Sequence, residues 1–109
     1  MELKDYQELA MRTKGQYDLV TYTSQQNQEL CAALGIAGES GEFCDNIKKF
    51  FYHKKPIADD LIKYELGDIL WYIALYCDAK GWKMNEICKM NIDKLIERYP
   101  NGFKTYNQR

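Results

Sequence analysis

The chain has 109 residues, 46% hydrophobic and 28% charged, with a net charge of −1. That length sets one domain, and the near-neutral balance excludes the broad basic field that recruits nucleic acid. A fold this short buries only about 60–70% of its unfolded surface when alone, so it gains from oligomerising. The four cysteines, Cys31, Cys44, Cys77 and Cys88, form no C-x-x-C pair, and His53 is the single histidine. A zinc site is therefore not expected. Cys31, Cys44 and Cys77 fall in apolar helical context, where thiols behave as small hydrophobes; the expectation is a reduced, cytoplasmic protein. The start, MELKDYQELAM, has no basic segment leading into an apolar core, so no signal peptide is expected. No apolar run approaches the length of a membrane span.

Taken in chain order, the elements read as all-α. A first helix covers Leu3 to about Thr13, with Leu3, Tyr6 and Ala10 on one side. Lys14 to Thr23 holds β-favouring residues without a period and reads as a loop. A second helix runs from about Ser24 to Tyr52, with an apolar stripe of Leu30, Leu34, Ala37, Gly41, Cys44 and Phe51. His53 to Ala58, containing Pro56, is a turn. A third helix begins near Asp59 or Asp60, acids suited to a helix start, and runs to about Lys80, where Gly81 can supply a left-handed cap. A fourth begins near Asn85 as N-cap and stops at Pro100. The polar tail, Asn101 to Arg109, is expected to be loose. The sum is a small four-helix-type bundle that assembles as an oligomer.

Two of these helices carry acids where apolar residues belong. In the third, Ile62, Leu66, Ile69, Ile73 and Tyr76 form an ordinary core face. The neighbouring stripe, Leu61, Glu65, Asp68, Tyr72 and Leu75, has core spacing but two carboxylates at its centre. In the second, Ile36, Glu39, Phe43 and Phe50 form a similar stripe with Glu42 beside it. Residues three apart share a helix face, so each helix presents a carboxylate pair. The plain alternative is that the acids face solvent or pair with lysines such as Lys48 and Lys49. Two such pairs inside apolar stripes argue instead for a cation, because isolated buried carboxylates protonate, pair or bind metal. Mg²⁺ prefers oxygen ligands and commonly bridges carboxylates to phosphate. A di-iron carboxylate bundle needs Glu-x-x-His on two helices, and His53 lies far from both pairs. Gly35, Gly38 and Gly41, three apart in the second helix, each cost it about 1 kcal/mol against alanine. They let a neighbouring backbone or a ligand come close.

The pattern GESGE, a spacer and ELGD resembles the MazG-type nucleoside triphosphate pyrophosphohydrolases, whose signature is E-x-x-E, a spacer, then E-x-x-D. Here 22 residues separate Glu42 from Glu65. The blocks DYQELAMRT, AALGIAGESGEFCDNIKK, ELGDILWYIA and NIDKLIERYPNGF follow the order of the short single-domain MazG-like proteins, so the resemblance covers nearly the whole chain. It implies an all-α fold, cleavage of an NTP or dNTP between the α- and β-phosphates, Mg²⁺ (with Mn²⁺ as a substitute), and an active site completed by assembly as a homodimer or homotetramer. Glu39, Glu42, Glu65 and Asp68 would be the metal ligands, and a glutamate of the first pair, Glu39 or Glu42, the general base. Lys48, and Lys94 with Arg98 on one face of the last helix, are candidate phosphate contacts, each weighed against ordinary surface charge. Asn91 shares that face, and Arg12 is a further candidate. Tyr72, one turn past Asp68, could stack on a base; Trp71, about 100° around the helix, reads as core or interface. His53 caps the second helix and is not assigned a catalytic role. The alternative function is a helical nucleotide-binding or interaction module without turnover.

Overall fold

The computed structural model describes residues 1–17 and 21–102. The tail read as loose falls almost wholly outside them, as do three residues of the loop read between the first two helices. Among the described residues the chain is all-helical. The elements are α1 (Leu3–Ala10), a 3₁₀ turn at Met11–Thr13, α2 (Ser24–Tyr52), α3 (Asp59–Lys80) and α4 (Met84–Arg98). Among the described residues no helix is long and apolar enough to cross a membrane.

Local chemistry sets most boundaries. Thr23 opens α2 with a capping box: the Gln26 amide donates to Thr23 Oγ1 at 3.1 Å, and Thr23 N–H donates to Gln26 Oε1 at 3.0 Å. Lys54, in the left-handed region at φ 55°, turns the chain after α2 so that Lys55 N–H reaches the Lys49 carbonyl. Asp59 and Asp60 lie in the first turn of α3, and Gly81 ends it at φ 70°. The start of α4 differs from expectation. Its N-cap position is Lys83, not Asn85, and no side chain of its own caps it. Gln7 of α1 does so across the fold, accepting from Met84 N–H at 3.1 Å while donating to the Trp82 carbonyl at 2.9 Å. Local spacing cannot reveal a cap borrowed from 77 residues away.

Helices α2 and α3 form an antiparallel hairpin that dominates the tertiary contacts. Gln28 donates to the Leu75 carbonyl and to Asp78, Gly35 lies under Tyr72, and Asn46 reaches Glu65, so one number falls as the other rises. Ala32 and Leu75 are buried in the hairpin. A second small core forms where α1 crosses α3 and meets the start of α4. Ala74, Cys77 and Met84 are buried there, with Leu3, Tyr6, Ala10, Met11 and Ile73 packed around them. Trp71 Nε1 donates to the Ala10 carbonyl and to Thr13 Oγ1, fastening the 3₁₀ turn to α3.

The single chain is open. Its radius of gyration is 17.3 Å, against about 13 Å for a compact domain of this length. The apolar stripe read along α2 lies outside the hairpin: Leu34 is 64% and Phe51 65% exposed, and Leu30, Ala37, Gly41 and Cys44 are exposed with them. On α3 the face read as ordinary core is only half-buried, with Leu66 exposed. The reason is rotation. Toward α3, α2 turns the neighbouring stripe, with Asn27, Ala32, Gly35, Glu39 and Asn46, so the most apolar stripe is left on the outside of one chain.

Candidate active site

The glycine–tyrosine contact sets the register of the acids. A methyl group at Gly35 would overlap the Tyr72 ring, so α2 and α3 approach closely here because residue 35 has no side chain. Four residues further along α2, and four back along α3, Glu39 stands level with Asp68. Three more bring Glu42 level with Glu65. The electrostatics agree. Burial, then the charges of Glu42 and Asp68, a hydrogen bond with Glu42 and the charge of Glu65 hold the Glu39 carboxyl above the usual carboxylate range. Glu39 therefore lies within the electrostatic reach of the other three acids.

Burial is uneven within it. Glu65 is 7% exposed and Glu39 half-buried, whereas Glu42 and Asp68 are exposed. One acid of each helix, Glu39 of α2 and Glu65 of α3, is thus sheltered, while Glu42 and Asp68 open to solvent. Glu65 Oε2 accepts from Asn46 Nδ2 at 2.6 Å. Glu65 Oε1 and Glu39 Oε2 are buried with no hydrogen-bond partner. Among the described residues, no ion pair reaches any of the four acids. Lys48 and Lys49 both pair with Asp45 instead, at 3.2 and 2.8 Å.

Four carboxylates without a cation, two of them with buried unpaired oxygens, suit a hard divalent ion. Among the described residues, no three His, Cys, Asp or Glu side chains are drawn close enough to ligate one ion as they stand. The donor set fits Mg²⁺ in its chemistry, and closing around an ion takes side-chain movement.

The remaining candidates divide. Tyr72 lies within the influence of two of the acids: burial, then Cys31, Glu39, Tyr17 and Asp68 push its phenol up. One face of its ring is taken by Gly35, and its edge meets Trp71 at 5.0 Å between centroids. Lys48 is on α2 beyond the acids, held by Asp45. Arg12 is exposed on the 3₁₀ turn. Asn91, Lys94 and Arg98 are exposed on α4, whose main packing is on α1, and among the described residues no ion pair joins Lys94 or Arg98 to the acids. Gly38 and Gly41, unlike Gly35, face open space. Sequence reasoning missed Asn46 and Tyr6. Asn46 lies one turn past Glu42 on the acid face, a spacing visible in the sequence. Tyr6 comes from α1, and its hydroxyl approaches the Gly67 carbonyl at 3.5 Å; burial and then Asp68 push its phenol up. No sequence signal ties it to the acids.

The family model of the MazG nucleotide pyrophosphohydrolase domain matches residues 25–103. The chain belongs to this family. It is also similar to the Gene 37 protein of Mycobacterium phage L5, at 31% identity over 74 residues, 63% of this chain and 64% of that protein. The match thus spans less than two thirds of the phage protein's length. No solved structure matches the chain.

Proposed function

We propose that this protein hydrolyses a nucleoside triphosphate, NTP or dNTP, between the α- and β-phosphates, giving the monophosphate and pyrophosphate, with Mg²⁺ as cofactor and Mn²⁺ as a substitute. The observation that supports the reading is that Glu39 lies within the influence of Glu42, Asp68 and Glu65, that no ion pair among the described residues reaches the four acids, and that two of them carry buried oxygens without a hydrogen-bond partner. Membership of a pyrophosphohydrolase family supports the reaction class.

In this reading the four carboxylates hold the metal. Bound Mg²⁺ supplies neutralisation of the triphosphate and a more acidic attacking water. One of the first pair, Glu39 or Glu42, would serve as general base in place of a metal contact, taking a proton from the attacking water as its oxygen bonds to phosphorus. The bridging bond between the α- and β-phosphates breaks, and its electron pair leaves with the product that water does not attack, pyrophosphate or the nucleoside monophosphate. Tyr72, one turn past Asp68, is assigned to stacking on the base. Lys48 and Arg12 are assigned to phosphate contacts. Asn91, Lys94 and Arg98 are assigned to contacts made in the assembled protein, since α4 rests on α1 within one chain.

Assembly is part of the proposal. The exposed stripe Leu30, Leu34, Ala37, Gly41, Cys44 and Phe51 runs along the longest helix, interrupted by Lys48 between Cys44 and Phe51. Burying it against a second copy gives a homodimer, and pairing of dimers a homotetramer. We place the protein in the cytoplasm, acting on the nucleotide pool.

The separation of the acids favours one other reading, a nucleotide-binding or interaction module without turnover. Pyrophosphate release from an NTP and dNTP panel, for wild type and Asp68→Asn with and without Mg²⁺, decides between them. Mg²⁺-dependent release lost in Asp68→Asn supports the enzyme. Nucleotide binding without release supports the module.

A further inference from the structure

Asn46 lies on the same face of α2 as the acids, one turn past Glu42 and two past Glu39. Its Nδ2 crosses to α3 and donates to Glu65 Oε2 at 2.6 Å, a short bond for an amide. Glu65 is the most buried of the four acids, and its other oxygen, Oε1, has no partner. We propose that Asn46 is a positioning residue for the cation site: it grips one oxygen of Glu65 and so fixes which oxygen is presented, unpaired, to the ion. The inference rests on the metal reading above.

A neutral donor suits that task. A lysine or arginine here would cancel the charge of Glu65 and compete with the cation. The amide satisfies half of a buried carboxylate and leaves its charge intact. Fixing the carboxylate before the ion arrives lowers the ordering cost of binding, and hydrogen-bond partners of metal ligands commonly set metal affinity. The alternative is that Asn46 only satisfies a buried acid for the sake of folding. The two roles part in their readouts. A folding role moves the metal-free Tm and leaves Mg²⁺ affinity alone.

The test is calorimetric titration of the full chain with Mg²⁺, together with Tm in the presence and absence of the ion. Wild type is compared with Asn46→Leu and Asn46→Ala, which remove the donor, and Asn46→Ser, which keeps a short one. Mg²⁺ affinity should fall about 10–100-fold in the Leu and Ala variants, with the Ser variant between them and wild type. Unchanged Mg²⁺ affinity in the Leu and Ala variants, whatever their Tm, would overturn the inference. If Asn46→Leu does not fold, Asn46→Ala decides by the same criterion. Wild type that binds no Mg²⁺ would remove the metal reading itself, and this inference with it.

Discussion

The Tyr72 ring rests directly on the backbone of Gly35, and this contact fixes the α2–α3 register that brings Glu39 level with Asp68. Gly35→Ala should therefore do two things. The added methyl must push the ring or the helices apart, at a cost of about 1–3 kcal/mol, and it should lower activity by disturbing the acid register. Gly38→Ala is the control: nothing lies near its new methyl, so helix propensity alone predicts a gain of up to about 1 kcal/mol. Chemical denaturation of the two variants checks the pair. A Gly35→Ala protein as stable as wild type would show that the close approach does not matter.

Like-charge crowding predicts the behaviour of the acids. Glu42→Gln and Asp68→Asn should lower kcat by about 100-fold or more. Their metal-free Tm should hold or rise, because each removes a negative charge that acts on Glu39. Thermal melting with and without Mg²⁺ reads both effects, and the rise in Tm on adding Mg²⁺ should shrink in the variants. Collapse of the metal-free Tm would make these acids structural partners instead.

The pH dependence of stability should carry a term from Asp78. Burial pushes its carboxyl up, but hydrogen bonds from Lys14 (2.7 Å) and Gln28 (2.8 Å) and the charge of Lys14 outweigh that and hold it below the ordinary carboxylate range. A lowered pKa in the folded state means that the unfolded chain binds more protons as pH falls. The contribution is thus present above the ordinary aspartate value of about 4 and lost as pH drops through the lower folded value. Asp78→Asn should reduce stability at neutral pH and flatten the acid limb. Denaturant melts from pH 7 down to pH 3 measure it, and an unchanged acid limb would contradict the assignment.

The exposed α2 stripe predicts what holds copies together. Leu34→Glu, at a position 64% exposed in the single chain, should shift sedimentation from the assembled species toward monomer. A monomeric wild type, or a Leu34→Glu variant that assembles as wild type does, would show that this face is not the contact.

Much of this architecture was legible in the sequence. Asp59, Asp60, Pro56 and Gly81 place the end of α2 and both ends of α3 within a residue or so, because helix ends are local chemistry. The acid pairs stood out because three-residue spacing survives whatever the helices pack against. What was not legible depends on partners distant in sequence. The N-terminus of α4 is capped by Gln7, so Asn85 misled. The rotation of α2 is set by Tyr72 on Gly35, residues far apart in the chain, so local spacing does not show that the most apolar stripe of α2 faces outward. Asn46 was overlooked because its role exists only through Glu65, and Tyr6 because α1 must first fold onto α3.

The central claim is the bond that is cut. Purified protein incubated with NTPs and dNTPs, in Mg²⁺ and in EDTA, followed by anion-exchange separation of products, tests it most directly. Monophosphate and pyrophosphate in equal amounts, formed only with the metal, is the predicted result. Diphosphate and phosphate would mean cleavage at the other bridge and would contradict the account.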